Sequence, residues 1–270
     1  MLFMAELDFD EASERLKMKR SAFEKLIKNG KEISYHKSGR RYVVNENDIN
    51  IWLSMRNARK VELTKEDFLR ALKFALKINY NMHTRSDFGT SRQRPFMQAV
   101  ENWTQGALAE IALQKFIRDM FNIELQIEFR VFDNAIVGQD IVAVKRNRTI
   151  NPPRKRISVK SGKDNGMVLI VPVNEIESEA RKSDYYVFVR VVFPIDIFAR
   201  FYRSIPEFED MLLIIPEFQS IKAYIAGYCK KEELEKRDVP EAGIKEEKYV
   251  MNTGSLKNLD NDWRKFVEEI

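Results

Sequence analysis

The chain has 270 residues, 44% of them hydrophobic and 11% aromatic, enough core for one large domain or one large and one small. A net charge of +5 and a pI near 9.1 point toward an anionic partner. The single cysteine, Cys229, excludes a disulfide framework, and His36 and His83 lie too far apart in sequence to suggest a clustered-histidine metal centre. No early apolar run reaches signal or membrane length, and acids appear from Glu6 onward, so a soluble, cytoplasmic protein with no membrane partner is expected.

Residues 1–60 read as a compact first domain. Phe9 to Leu16 forms a short amphipathic helix, and Met18-Lys19-Arg20 a tight turn. A second helix starts at Ser21, with Glu24 completing a capping box, and stops at Asn29-Gly30. Ile33–His36 and Arg41–Val44 flank Lys37-Ser38-Gly39-Arg40 as a hairpin, and Asn45 caps a third helix, Glu46 to Leu53. Helix, turn, helix, basic hairpin, helix resembles the winged helix-turn-helix of excisionase and MerR-type DNA-binding domains. The resemblance implies that Lys19, Arg20, Ser21 and Lys25 approach a DNA groove while Lys37, Arg40 and Arg41 of the wing contact phosphate. These 60 residues hold 13 Lys/Arg against 9 Asp/Glu, most of the chain's positive surplus. A packing subdomain with solvated basic residues is the plainer alternative.

Residues 55–63 read as a connector. Thr64 and Asp67 cap a helix running to about Asn79, with Phe68, Leu69, Leu72, Ala75 and Leu76 on its apolar face. Residues 80–94 are polar and loop-like, and Pro95 opens a long helix to about Phe121. Arg92 and Arg94, just before it, suit bidentate contacts to guanine or phosphate. Within the long helix, Glu110 lies among small and apolar residues, where it either faces a metal or caps the edge of the core. A strand follows over 123–132.

The most informative stretch runs from Gly138 to Lys163. Asp140 opens the apolar run Ile141–Val144, and Lys160 closes a run in which Ile157 and Val159 alternate with Ser158 and Lys160, the pattern of a half-buried strand. Two antiparallel strands joined by a hairpin would set the Asp140 carboxylate and the Lys160 ammonium side by side on one face. A carboxylate holds a hard cation such as Mg²⁺, and a nearby lysine orients water and offsets phosphate charge, which is what phosphodiester hydrolysis needs. A plain cross-strand ion pair is the other reading, of little energetic value at a surface. Residues 145–163 hold eight Lys/Arg, Lys163 included, and no acid, as expected of an exposed tip against a phosphate backbone.

Beyond it, Met167–Val173 reads as a strand, Asn174–Lys182 as a short helix containing Glu175, and Tyr185–Phe193 as a strand at a sheet centre. Residues 194–219 are aromatic-rich and broken by prolines. Ile221–Cys229 is a strand, Lys231–Arg237 a helix, Lys248–Met251 an edge strand and Asn261–Ile270 an amphipathic end.

Glu110 in a helix, Asp140 at a strand start, Lys160 at a strand end, a further strand and short helix, then a buried strand: this order resembles the PD-(D/E)XK nuclease superfamily. The resemblance implies an α/β fold over residues 61–270, with a restriction-endonuclease-like central mixed sheet flanked by helices. It implies a Mg²⁺ site formed by Asp140, the Val159 carbonyl and a carboxylate, with Lys160 positioning water. Two residues depart from the pattern. Asp140 follows Gly-Gln, and Ser158 stands where the family has Asp or Glu. A branch of type II restriction endonucleases similar to EcoRII, SsoII, PspGI and NgoMIV shares this Ser-x-Lys and draws its acid from the next helix. Glu175 fits that role with Glu177 second, and the choice between Glu110 and Glu175 stays open. The implied protein is a sequence-specific type II endonuclease cutting double-stranded DNA with Mg²⁺, as a homodimer if its site is palindromic. Two alternatives remain: a structure-specific or repair nuclease, and a regulator or recombination accessory protein with a non-catalytic nuclease-like domain.

Overall fold

A computed structural model describes residues 5–80, 96–129, 139–193 and 220–270. The first unit runs β1 (Glu6–Asp8), α1 (Phe9–Arg15), α2 (Arg20–Lys28), β2 (Tyr35–Ser38), β3 (Arg41–Asn45) and α3 (Glu46–Ala58), its sheet ordered β1-β3-β2. Phe9, Phe23, Leu26, Ile27, Val44 and Ile49 bury a common core beneath it. Asp8 caps α1, its side chain taking the Glu11 N–H while the Glu11 carboxylate takes the Asp8 N–H. The box expected at Ser21 does not form. α2 starts one residue earlier, behind Lys19, and Glu24 is drawn instead to Arg20 and Lys28 one turn to either side. Gly39, at φ 61°, makes the tight turn between β2 and β3. The Asn45 side chain caps α3, which runs on to Ala58 rather than stopping at Leu53.

The connector expected over 55–63 is the end of α3 followed by strand β4 (Lys60–Leu63). Next come α4 (Lys65–Tyr80), opened by reciprocal Thr64 and Asp67 hydrogen bonds, and α5 (Phe96–Phe121). They are followed by β5 (Ile123–Ile127), β6 (Ile141–Arg146), β7 (Thr149–Asn151), β8 (Ile157–Lys163), β9 (Val168–Val171) and the single turn α6 (Val173–Ile176). Then come β10 (Tyr185–Val191), β11 (Ile221–Lys230), β12 (Glu235–Val239), β13 (Ile244–Asn252) and α7 (Asp260–Glu269). The expected loop 80–94 beyond Tyr80, residues 130–132 of the expected strand and the irregular stretch 194–219 lie outside the described residues.

The largest sheet is mixed and ordered β4-β11-β10-β8, with β8 parallel to β10 and the other pairs antiparallel. All seven residues of β10 are buried, as expected of a nearly continuous apolar run, and its one charged residue, Arg190, is buried by pairing with Glu32. Alternation divides this sheet into two faces. Ile157, Val159, Val187 and Val189 pack with α4 and α5 in the main core. Ser158, Lys160 and Gly162 stand opposite Tyr186, Phe188 and Arg190 on the other face.

Three sequence expectations change here. The Asp140 strand does not form a hairpin with the Lys160 strand. β6 turns at Asn147, φ 54°, and pairs with β7 and β5, whereas β8 belongs to the larger sheet. The helix expected over 231–237 is one 3-10 turn, Lys231–Glu233, followed by β12, because β13 is long enough to pair with it. β13 is accordingly not an edge strand but the middle of the sheet β12-β13-β9.

A buried polar knot joins the first unit to the sheet. The Glu32 carboxylate, just past α2, ion-pairs with Arg190 of β10 and accepts hydrogen bonds from Thr253 Oγ1 at 2.5 Å and Trp52 Nε1 at 2.7 Å. Arg190 also donates to the Gly166 carbonyl at 2.8 Å. Burial alone would push the Glu32 carboxyl up, but the Arg190 charge and these hydrogen bonds hold it below the usual range.

Candidate active site and DNA interface

Four of the elements above meet at one place. Asp140 precedes β6, Ser158 and Lys160 project from one face of β8, and Glu175 sits on α6, hung from the end of β9. The Asp140 carboxylate accepts the Val159 N–H at 2.6 Å and lies 3.2 Å from Ser158 Oγ. Glu175 lies 3.2 Å from the same hydroxyl and accepts from Lys160 Nζ at 2.7 Å. The lysine therefore pairs with Glu175, not directly with Asp140. Its ammonium also lies 5.9 Å from the Tyr186 ring centre.

Burial pushes the Asp140 carboxyl above its usual range; Lys160 and the Val159 N–H oppose this, and the Glu175 charge adds to it. Glu110, on α5, feels the same group. Burial and then the Asp140 charge raise its carboxyl well above the usual range, against Lys160 and Arg70. Glu110 is thus electrostatically coupled to the cluster but makes no hydrogen bond with it among the described residues. Glu177, the second candidate, is excluded from it and pairs with Lys236 at 3.0 Å on the surface.

The donor set suits a hard cation. Ser158 has one hydroxyl proton for two carboxylates, so one of them lacks a donor at that point. In an extended strand the N–H and C=O of one residue point to the same edge, so the Val159 carbonyl faces the Asp140 side as well. Among the described residues no three His, Cys, Asp or Glu side chains form a ready-made metal cluster. Mg²⁺ needs none, since one or two carboxylates plus substrate phosphate hold it.

In the sequence Ser158 reads only as a missing acid; its hydroxyl instead stands between two carboxylates. The signal was present in the strand period, which places residues 158 and 160 on one face.

Around the cluster, the basic stretch 145–163 is less free than its composition suggests. Lys145 pairs with Glu124, Arg146 donates to the Val267 carbonyl, and Arg156 donates to the carbonyls of Glu179 and Ala180 at 3.0 and 2.5 Å. Arg148, Arg154, Lys155 and Lys163 remain exposed. On the first unit, Lys19, Arg20, Ser21 and Lys25 of α2 and its cap are exposed, as are Lys37, Arg40 and Arg41 of the hairpin. Arg20 is held by Asp10 and Glu24, and Arg41 lies 3.4 Å from Asp8. Arg92 and Arg94 lie outside the described residues.

Residues 6–57 match the family model of a helix-turn-helix domain. No curated protein and no solved structure matches the chain. The N-terminal unit is thus a helix-turn-helix domain, a class of DNA-binding unit, joined to a mixed α/β region of several sheets. No helix among the described residues is long and apolar enough to cross a membrane.

Proposed function

We propose that this chain is a Mg²⁺-dependent endonuclease of PD-(D/E)XK type that cuts double-stranded DNA at specific sequences, as type II restriction endonucleases do. The observation that carries the reading is the hydrogen-bonded group Asp140, Ser158, Lys160 and Glu175 on and beside β8, the last strand of a mixed sheet among the described residues, in a chain that also holds a helix-turn-helix domain. Asp140, Glu175 and the Val159 carbonyl would hold the cation, with Glu110 beside them. When bound, Mg²⁺ supplies charge stabilisation of the phosphoryl oxygens and of the departing 3′ oxygen. Ser158 keeps the two carboxylates in register. Glu175 holds the Lys160 ammonium in place, from which its N–H groups orient the attacking water and offset negative charge on the scissile phosphate. Reading a palindromic site calls for a homodimer.

The test is incubation of the purified protein with plasmid and phage DNA, in Mg²⁺ or EDTA, beside Lys160→Ala. A discrete Mg²⁺-dependent fragment ladder that disappears in the variant supports the reading. DNA binding without cleavage across divalent metals and salt concentrations would sink it. The regulator or recombination accessory reading would then stand, favoured by the helix-turn-helix match and by a Lys160–Glu175 pair that also serves as a structural ion pair. Cleavage without sequence preference would point to a structure-specific nuclease.

A further inference from the structure

A cleft of about 550 Å³ opens between α2 and the turn that joins β8 to β9. Lys25 and Asn29 line it from the helix-turn-helix domain, and Lys160, Lys163 and Asn165 from β8 and the turn. Neither the Lys25 nor the Lys163 ammonium has an ion-pair partner among the described residues. Among the described residues the one acid on the wall is Glu241, and it is paired with Arg237 at 2.6 Å. The cleft is therefore lined by net positive charge and has Lys160 within it. Its floor is kept low by the absence of side chains at Gly162 and Gly166, where a Cβ would meet the Phe188 ring at 2.5 and 3.2 Å.

The two walls are tied to each other. Arg56 of α3 pairs with Asp164 of the turn, and Arg190 joins the Gly166 carbonyl to Glu32, four residues past α2. Gly254 N–H donates to the Gly30 carbonyl at 2.6 Å, and Thr253 Oγ1 lies within hydrogen-bond distance of both Glu32 and the Met167 carbonyl. Side chains at the Glu32–Arg190 centre are 9% and 4% exposed, so water cannot easily loosen it. DNA seated on α2 thus meets a second basic wall at a fixed separation.

We infer that this cleft is a track for DNA backbone running from the helix-turn-helix contact to Lys160, so that the chain cuts close to the sequence its first domain holds. The inference rests on the nuclease reading for the cut itself, but the track is a statement about binding. A cleft of this size spans less than one helical turn, about 10 base pairs. Lys25 and Lys163 then hold phosphates of one duplex segment, and cleavage falls at one fixed offset within that turn. An enzyme with a flexibly linked reader would instead cut at scattered or distant positions.

The test uses the full chain, with Ser21→Cys or Asn165→Cys carrying a tethered iron–EDTA group; native Cys229 is buried and escapes labelling. The probe is a set of short duplexes recovered from a random-sequence pool by binding to the protein without Mg²⁺. Both labels are expected to cut the same duplex with maxima within about 10 base pairs of each other. No cutting from position 165, maxima more than one turn apart, or a pool yielding no bound duplex would each overturn the track. The unlabelled protein with Mg²⁺ on the same duplexes decides the nuclease reading separately. Overlapping patterns without native cleavage uphold the track and overturn the enzyme, whereas native cleavage with separated patterns does the reverse.

Discussion

Arg190→Met removes the centre of the joint between the helix-turn-helix domain and the sheet. Arg190 and Glu32 are nearly inaccessible, so losing the guanidinium leaves a carboxylate in a buried site with Thr253 and Trp52 as its remaining donors among the described residues. Breaking a buried pair from one side costs about 3–5 kcal/mol. The two remaining donors place this case at the lower end, about 3 kcal/mol, and the lost Gly166 bond adds about 1 kcal/mol. For a chain of this size the total is a fall in Tm on the order of 10 °C. The assay is thermal unfolding of the wild type, Arg190→Met, Glu32→Gln and the double variant. The double variant should lose less than the sum of the singles, since neutralising Glu32 removes the stranded charge. A drop of under about 1 kcal/mol in Arg190→Met, or strict additivity in the cycle, would refute the reasoning.

Other expectations follow from the same structure. The Glu32 carboxyl is held below the value of about 4.3 it has in an unfolded chain. Its stabilisation is therefore complete above that pH and is lost as pH falls through the lower folded value; acid unfolding should show this, and Glu32→Gln should flatten that part of the curve. Gly254→Ala places a Cβ 2.0 Å from the Lys31 carbonyl oxygen, and denaturant unfolding should show a loss of about 1–3 kcal/mol. Ser158→Ala leaves Asp140 and Glu175 without their shared hydroxyl, and Mg²⁺ titration of cleavage should show roughly a 10–100-fold loss in metal affinity or rate. In a Glu175→Ala background, Ser158→Asp should restore part of that Mg²⁺ response, and no recovery would argue against the two positions serving one cation. Lys37→Ala and Arg40→Ala in the exposed hairpin should weaken DNA binding across sequences and lower the salt dependence by about one charge each.

Much of the fold was legible locally because its causes are local. Gly39-Arg40 between alternating strands predicts the hairpin, Asn45 and Thr64 mark helix starts, and the nearly continuous β-branched and aromatic run over Tyr185–Val191 reads as an interior strand. The β12 segment misled because Glu, Lys and Arg suit an exposed helix turn as well as a strand with one wet face, and only pairing with β13 decides. Asp140 and Lys160 are legible from their residue types at the start and end of strand patterns. Which acid joins them was not readable, because Glu175 and Glu177 differ by two residues on a turn whose direction is set by docking. The structure turns Glu175 toward Lys160 and Glu177 toward Lys236. Likewise Glu32 and Arg190 are 158 residues apart, and no periodicity links them. Sequence alone thus determined most helix starts, the first hairpin, the interior strand, the charge and the residue types its chemistry would need. Only the tertiary structure decided which charges face one another, because a buried ion pair depends on distance and desolvation, and neither is a property of neighbours along the chain.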